Sequence, residues 1–310
     1  MTDSSLDADP LLVLIGATAT GKTALALDLA QRHGAEIVSL DSMLVYRGMD
    51  IGTAKPDAQE QARAPHHMLD LVGPDERYDV QRYLREAEQA VAGILARGKR
   101  ALFVGGTGFY LAALLRGLFE GPEVDAELRA RLEQRAEELG SEAFHTELAA
   151  VDPESAERLH HGDVRRVVRA FEVLEQTGKP LSQWQQEWRG RPNPRLAQAR
   201  VLGLTQDTAI LDERIAARTE VMLAAGWREE ALAIRADPGF GASAIQALGY
   251  NIVLDWADGK LERAEAAQLI ALRTRQFARR QRTWFRKFEV NWLQVGASEN
   301  QELARAAFDL

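Results

Sequence analysis

The sequence predicts an α/β fold: a P-loop-type parallel sheet flanked by helices, with a helical insertion domain. Three observations carry this reading. Short apolar runs alternate with amphipathic segments over the first hundred residues, the pattern of strands buried on both faces of a parallel sheet. The first apolar run leads directly into a glycine-containing turn that opens a helical pattern. From residue 119 to 198 the alternation stops and helical periodicity alone remains, after which an apolar run returns.

Taken in order, residues 11–15 (LLVLI) read as a buried strand, followed by the turn at 16–23 and a helix over about 22–32. Residues 36–39 read as a second strand. Residues 100–104 read as another, ending in Gly105-Gly106-Thr107-Gly108. Arg191-Pro192-Asn193-Pro194 marks a linker. Residues 200–204 (RVLGL) then return to the sheet, and a helix over about 209–225 is stopped by Gly226. The expected division is a core of 1–118 and 199–310 around an insertion of 119–198, without internal repeats or low-complexity tracts.

Composition narrows the setting. The 310 residues are 46% hydrophobic and 27% charged, enough for a full α/β core with an insertion. There is no cysteine, which removes disulfides and thiolate metal sites and fits a reducing cytoplasm. The first ten residues are polar and acidic, unlike a secretory signal, and the run 11–15 is too short to span a bilayer. A cytoplasmic monomer without membrane association is expected.

The net charge of −8 hides an uneven distribution. Residues 119–157 carry twelve acids against Arg129, Arg131 and Arg135. Residues 158–200 carry nine basic residues against four acids, and 273–287 carry seven basic residues and no acid. Two basic segments inside an acidic chain are a footprint for a phosphate-bearing partner.

Gly16-Ala17-Thr18-Ala19-Thr20-Gly21-Lys22-Thr23 fits G-x-x-x-x-G-K-[ST] between a strand and a helix, the context this nucleotide-binding motif requires. Its backbone N–H groups can curl around phosphate oxygens, Lys22 supplies a cation, and Thr23 offers a hydroxyl to Mg²⁺. An NTP hydrolase also needs a second strand ending in a Mg²⁺-binding Asp. The strand at 100–104 ends instead in Gly-Gly-Thr-Gly, and His66-His67-Met68-Leu69-Asp70 is only a weakly apolar substitute. Asp41 follows the second strand, at the sheet edge where α/β proteins bind ligands. Residue chemistry leaves three roles open for it: general base, outer-shell Mg²⁺ partner, or helix N-cap.

Longer motifs carry a family resemblance. Asp41-Ser42 followed by Tyr46-Arg47-Gly48-Met49-Asp50-Ile51-Gly52-Thr53-Ala54-Lys55-Pro56 resembles the signature of tRNA dimethylallyltransferases. So do His66-His67-x-x-Asp70, Gly105-Gly106-Thr107-Gly108-Phe109-Tyr110, Arg166-x-x-Arg169-Ala170-x-Glu172-Val173 and Arg214-Ile215-x-x-Arg218. Gln246-Ala247-x-Gly249-Tyr250 and Thr274-Arg275-Gln276-x-Ala278-x-Arg280-Gln281-x-Thr283-Trp284 complete a series running in order from about residue 11 to 292.

The resemblance implies transfer of a dimethylallyl group from dimethylallyl diphosphate to N6 of adenosine 37 beside the tRNA anticodon, with Mg²⁺ assisting. Carried over, residues 16–23 bind the diphosphate, Asp41 takes the N6 proton, and Thr107 and Arg218 lie near the leaving diphosphate. The anticodon stem-loop is then met by Asp41, Ser42, Met43 and Leu44, by Thr107, and by Arg165, Arg166, Val167, Val168 and Arg169. It is also met by Gln246, Ala247, Leu248, Gly249, Tyr250 and Asn251, and by Arg279, Arg280, Gln281, Arg282, Thr283, Trp284, Phe285 and Arg286. Two departures stand out. Ala17 replaces a common proline, and Met43-Leu44 replaces a polar pair, which puts side-chain contact to RNA from 43 and 44 in doubt.

In a helix, Arg275, Arg279, Arg282 and Arg286 share one face, which is expected to meet phosphates. Phe277, Trp284 and Phe288 form another face, expected to be core. The histidines lack metal-site spacing. Three rival readings are a P-loop small-molecule kinase, a non-catalytic RNA-binding module, and a prenyltransferase acting on free AMP.

Overall fold

The computed structural model describes residues 11–118, 121–122, 125–189, 198–295, 304 and 308, the side chains of 188 and 189 excepted. The predicted linker at 191–194 lies outside the described residues. The chain divides into two compact units, residues 1–116 with 194–310, and residues 117–193.

The larger unit is built on six parallel strands: β1 (Leu12–Gly16), β2 (Ala35–Leu40), β3 (His66–His67), β4 (Arg100–Gly105), β5 (Arg200–Thr205) and β6 (Asn291–Gln294), in the order β3-β2-β4-β1-β5-β6. The P-loop-type α/β sheet is therefore as expected, with the four central strands at the predicted places. Side chains alternate between two apolar layers. Val13, Ile15, Val38, Leu40 and Phe103 lie in one, and Leu12, Leu14, Ile37, Leu102, Leu202 and Leu204 in the other. Covering both faces explains why these strands read as unbroken apolar runs. Val13, Leu14 and Ile15 are fully buried, each worth about 1.5–3 kcal/mol.

The larger unit's first helices are α1 (Lys22–His33), α2 (Ala58–Arg63), α3 (Val80–Ala96) and α4 (Gly108–Arg116). The smaller unit contributes α5 (Ala126–Leu139), α6 (Ser141–Val151), α7 (Pro153–Arg158), α8 (Val164–Thr177) and α9 (Leu181–Arg189), with no strand among its described residues. The larger unit resumes with α10 (Thr208–Ala224), α11 (Trp227–Ala236), α12 (Tyr250–Ala257) and α13 (Arg263–Phe285). Gly226 has φ 102°, and this left-handed conformation breaks the chain between α10 and α11 where the sequence predicted a stop.

The smaller unit packs around Leu128, Leu132, Phe144, Leu148, Val168 and Phe171. Glu172 is fully buried there. Its carboxylate accepts from Arg129 Nε (2.5 Å) and Nη2 (2.7 Å) and from Arg169 Nη1 (3.1 Å). Two guanidinium partners are what allow a carboxylate to sit in that core, and removing either would leave a buried charge undercompensated.

Candidate active site

The turn after β1 has the shape of an anion cradle. Gly21 (φ 89°) and Ala19 (φ 66°) both take left-handed conformations that turn the chain back on itself. At Gly16 a Cβ would press on Thr20 Oγ1 at 2.7 Å and on the Leu204 carbonyl at 3.0 Å. The loop is braced internally, because Thr20 Oγ1 (2.8 Å) and Lys22 Nζ (2.9 Å) both donate to the Ala17 carbonyl. Arg218, on α10, donates from Nη2 to Thr18 Oγ1 at 2.5 Å, and Arg214 from Nη1 to the Ala19 carbonyl at 3.4 Å.

Because β4 lies between β1 and β2, the ends of these three neighbouring strands bring the P-loop, Asp41 and Thr107 together. The Thr107 N–H donates to the Leu40 carbonyl (3.2 Å), and its hydroxyl accepts from the Ser42 N–H (3.2 Å). Asp41 Oδ1 accepts from the Met43 N–H (2.9 Å). Burial raises the Asp41 carboxyl from its ordinary value, opposed by that amide, by Lys22 and by the Leu44 backbone. Burial pushes the Lys22 ammonium down to about 8, with Asp41 opposing and Arg218 adding to the shift. Burial also lowers Arg218. Two cations and a proton-hungry carboxylate thus face one phosphate cradle.

Glycine has a packing reason at 105, 106 and 108. A Cβ at Gly105 would strike the Leu40 carbonyl, one at Gly106 would strike Gln281 Nε2, and one at Gly108 would lie 2.9 Å from Trp284 Cβ. The turn is bare so that α13 can lie against it. Gln281 is only 5% exposed. Its Oε1 accepts from the Thr18 N–H at 2.9 Å, and its Nε2 donates to the Gly106 carbonyl at 3.0 Å.

The segment after Asp41 is pinned from two sides. Glu230, on α11, accepts from the N–H groups of Asp50 (2.9 Å), Ile51 (2.7 Å) and Gly52 (3.0 Å) and from the Tyr250 hydroxyl (2.6 Å). Lys55, its side chain 3% exposed, donates to the Tyr46 carbonyl (2.7 Å), Asp50 (2.6 Å) and Asp70 (2.5 Å). Asp70 is therefore an anchor of this loop, and His66 and His67 form only a two-residue edge strand. They make no second metal-binding strand.

The other expected contacts divide by burial. Arg165, Arg166, Gln246, Asn251, Arg279, Arg280, Thr283 and Arg286 are exposed, and Ser42, Met43, Leu44, Leu248 and Arg282 are half-buried. The side chains of Val167, Val168, Ala247, Tyr250, Gln281 and Phe285 are buried and offer packing, not a surface, to RNA. Arg169 is engaged with Glu172 and, through Nη2, with the Pro122 carbonyl (2.8 Å). The expectation for the apolar face of α13 needs correction. Phe277 and Trp284 are half-buried, and Phe288, beyond the helix, packs half-buried against the core as expected, while Ala266, Ala267, Ile270, Ala271, Thr274, Ala278, Gln281 and Phe285 form the buried face. Four alanines and a threonine on that face let the helix approach its neighbours closely, with Ile270, Gln281 and Phe285 filling the rest.

Over residues 44–288 the sequence matches the IPP transferase family, and over residues 10–70 the isopentenyl transferase family. This chain belongs to the IPP transferase family. It is 46% identical over 299 residues to the tRNA dimethylallyltransferase of Symbiobacterium thermophilum, covering 95% of this chain and 92% of that one. It is 45% identical to that of Desulfotalea psychrophila, covering 92% and 91%. Among solved structures, the full-length tRNA isopentenylpyrophosphate transferase of Bacillus halodurans aligns with a TM-score of 0.69 at 32% identity, covering 97% of each chain. A eukaryotic dimethylallyltransferase described as acting on tRNA aligns with a TM-score of 0.77 at 27% identity, covering 96% of this chain and 78% of that one. The family match spans the Asp41-proximal loop, the glycine turn and the arginine helix, the three parts assembled around the cradle.

Proposed function

We propose that this chain transfers the dimethylallyl group of dimethylallyl diphosphate to N6 of adenosine 37 in the tRNA anticodon loop, releasing diphosphate. The observation that carries the reading is Asp41, a carboxylate with a raised proton affinity beside the Lys22–Arg218 cation pair of a phosphate cradle. The allylic carbon–oxygen bond breaks most readily when the departing diphosphate is neutralised. The P-loop amides, Lys22 and Arg218 supply that stabilisation where the charge develops. The N6 lone pair is delocalised into the adenine ring and is a poor nucleophile. As the new carbon–nitrogen bond forms, Asp41 accepts the N6 proton. The adenine reaches the cradle only by leaving the anticodon stack.

The exposed Thr23 in the first turn of α1 offers a hydroxyl that would hold Mg²⁺ together with substrate phosphates and water. No cluster of three or more His, Cys, Asp or Glu among the described residues offers an alternative metal site. When bound there, Mg²⁺ would add charge neutralisation to the leaving diphosphate.

The exposed arginines of α13 and Arg165 and Arg166 of α8 supply cations for RNA phosphates. No helix of the described residues is long and apolar enough to cross a membrane. We place the reaction in the cytoplasm and the working form as a monomer. Incubation with labelled dimethylallyl diphosphate, Mg²⁺ and either tRNA, AMP or ATP tests the reading. Label should enter tRNA alone and map to adenosine 37. Labelling of AMP instead, or phosphoryl transfer from ATP, would overturn it.

A further inference from the structure

We propose that Gln281 is a positioning residue that couples RNA bound on the arginine face of α13 to the shape of the diphosphate cradle. The inference rests on the function proposed above. Its basis is the carboxamide that spans two loops of the site, one arm on the Thr18 N–H and the other on the Gly106 carbonyl. The two arms fix the amide's orientation, since exchanging oxygen and nitrogen would set donor against donor and acceptor against acceptor. Thr18 is thereby held at both ends, its N–H by Gln281 and its hydroxyl by Arg218. Thr18 lies within the loop whose amides cradle the phosphates.

The position of Gln281 on the helix gives the coupling its direction. The buried series Thr274, Ala278, Gln281, Phe285 and the arginine series Arg275, Arg279, Arg282, Arg286 are the same spacing displaced by one residue, about 100° around the axis. The arginine row therefore flanks the row that touches the cradle. RNA phosphates that fix Arg279, Arg282 and Arg286 fix the helix, and the helix carries Gln281. Gly106 has no side chain, and a Cβ there would occupy the place of Gln281 Nε2. The contact therefore depends on close approach of helix and turn, and a small shift of α13 alters both hydrogen bonds together. Gln281 is the described α13 side chain that hydrogen-bonds a P-loop amide, so it links the two ligand surfaces directly, beside the longer route from Arg282 through Thr208 of α10 to Arg218.

Titration calorimetry on the full chain tests this, with inorganic diphosphate plus Mg²⁺ as one probe and an unmodified anticodon stem-loop hairpin as the other. In the wild type the hairpin should tighten diphosphate binding about fivefold or more, and by linkage diphosphate should tighten the hairpin by the same factor. In Gln281→Met that factor should fall to within about twofold of unity, whatever the affinity of each ligand alone. A purely structural role would weaken both ligands, or neither, and leave the factor intact. An unchanged factor in the variant overturns the inference, as does a wild type that binds both probes independently. A wild type that fails to bind diphosphate at all overturns the proposed function and this inference with it. A second measurement needs no variant. Hairpin addition without diphosphate should slow amide exchange in segment 16–21 of the wild type, and unaltered exchange there counts against the coupling.

Discussion

Replacing Lys22 with Met should make the folded protein more stable while disabling it. The Lys22 ammonium is half-buried, and burial lowers its pKa from 10.5 to about 8. A displacement of that size corresponds to on the order of 3 kcal/mol against folding at neutral pH, discounted to roughly 2 kcal/mol for a side chain still screened by some water. The variant forfeits the hydrogen bond from Nζ to the Ala17 carbonyl, worth about 1 kcal/mol. The net gain is roughly 1 kcal/mol, or about 2–4 °C in melting temperature for a unit of this size. Its pH dependence has a definite sign. Below pH 8 lysine is charged in both folded and unfolded chains, and the folded state bears the full cost. Between about 8 and 10.5 the folded chain has shed the proton while the unfolded chain still binds it, so wild-type stability rises with pH. The variant's advantage is therefore complete at pH 7 and largely gone by about pH 9.5. Thermal melts of both proteins at the two pH values decide the matter. A variant less stable at pH 7, or a pH-independent difference, would refute the burial argument. Diphosphate should raise the melting temperature of the wild type and leave the variant's unchanged. Prenyl transfer should fall by roughly 10²-fold or more.

Asp41→Asn should keep RNA affinity within a few-fold while lowering single-turnover transfer by on the order of 10²–10⁴; a collapse of affinity with the chemical step intact would make Asp41 a binding residue. Changing Arg279, Arg282 and Arg286 together to Gln should flatten the plot of log RNA affinity against log salt by up to roughly 2. The Michaelis constant for the prenyl donor measured with RNA present should rise by about fivefold as the coupling to the cradle is lost, and an unchanged salt slope would remove these arginines from the interface. Glu230→Ala deprives four donors of their carboxylate acceptor, two of them partly sheltered amides, and should destabilise the larger unit by roughly 2–3 kcal/mol in denaturant titrations followed by tryptophan fluorescence. A loss below about 0.5 kcal/mol would show that water replaces the carboxylate at the 50–52 turn without penalty.

Much of this protein is determined locally and so was legible in the chain. The strands at 12–16, 35–40, 100–105 and 200–205 announce themselves because a sheet covered on both faces demands unbroken apolar runs. The cradle announces itself because its glycines, Lys22 and Thr23 act within eight consecutive residues. The arginine stripe of α13 was legible for the same reason, since helical spacing converts sequence position into a face.

What the tertiary structure decided involves partners far apart in sequence. Gln281 meets Thr18 and Gly106 across 263 and 175 positions, and Glu230 meets the turn at 50–52 across 178 to 180. No local pattern marks a glutamine as a bridge or a glutamate as a loop anchor. Strands β3 and β6 leave no mark in the sequence because they are two and four residues long and take their hydrogen bonds from neighbours already in place. The buried face of α13 ends in Phe285 and excludes Phe277 and Trp284. Size and hydrophobicity favour them for a core, but the helix turns Ala266, Ala267, Ala271, Ala278 and Gln281 inward beside Ile270 and Phe285, while Trp284 lies over Gly108 and stays half-buried. Local sequence sets which segments are strands, helices and phosphate-binding turns. Their close approach sets which polar side chains act together, because a hydrogen bond needs its partner within about 3 Å, wherever in the chain that partner lies.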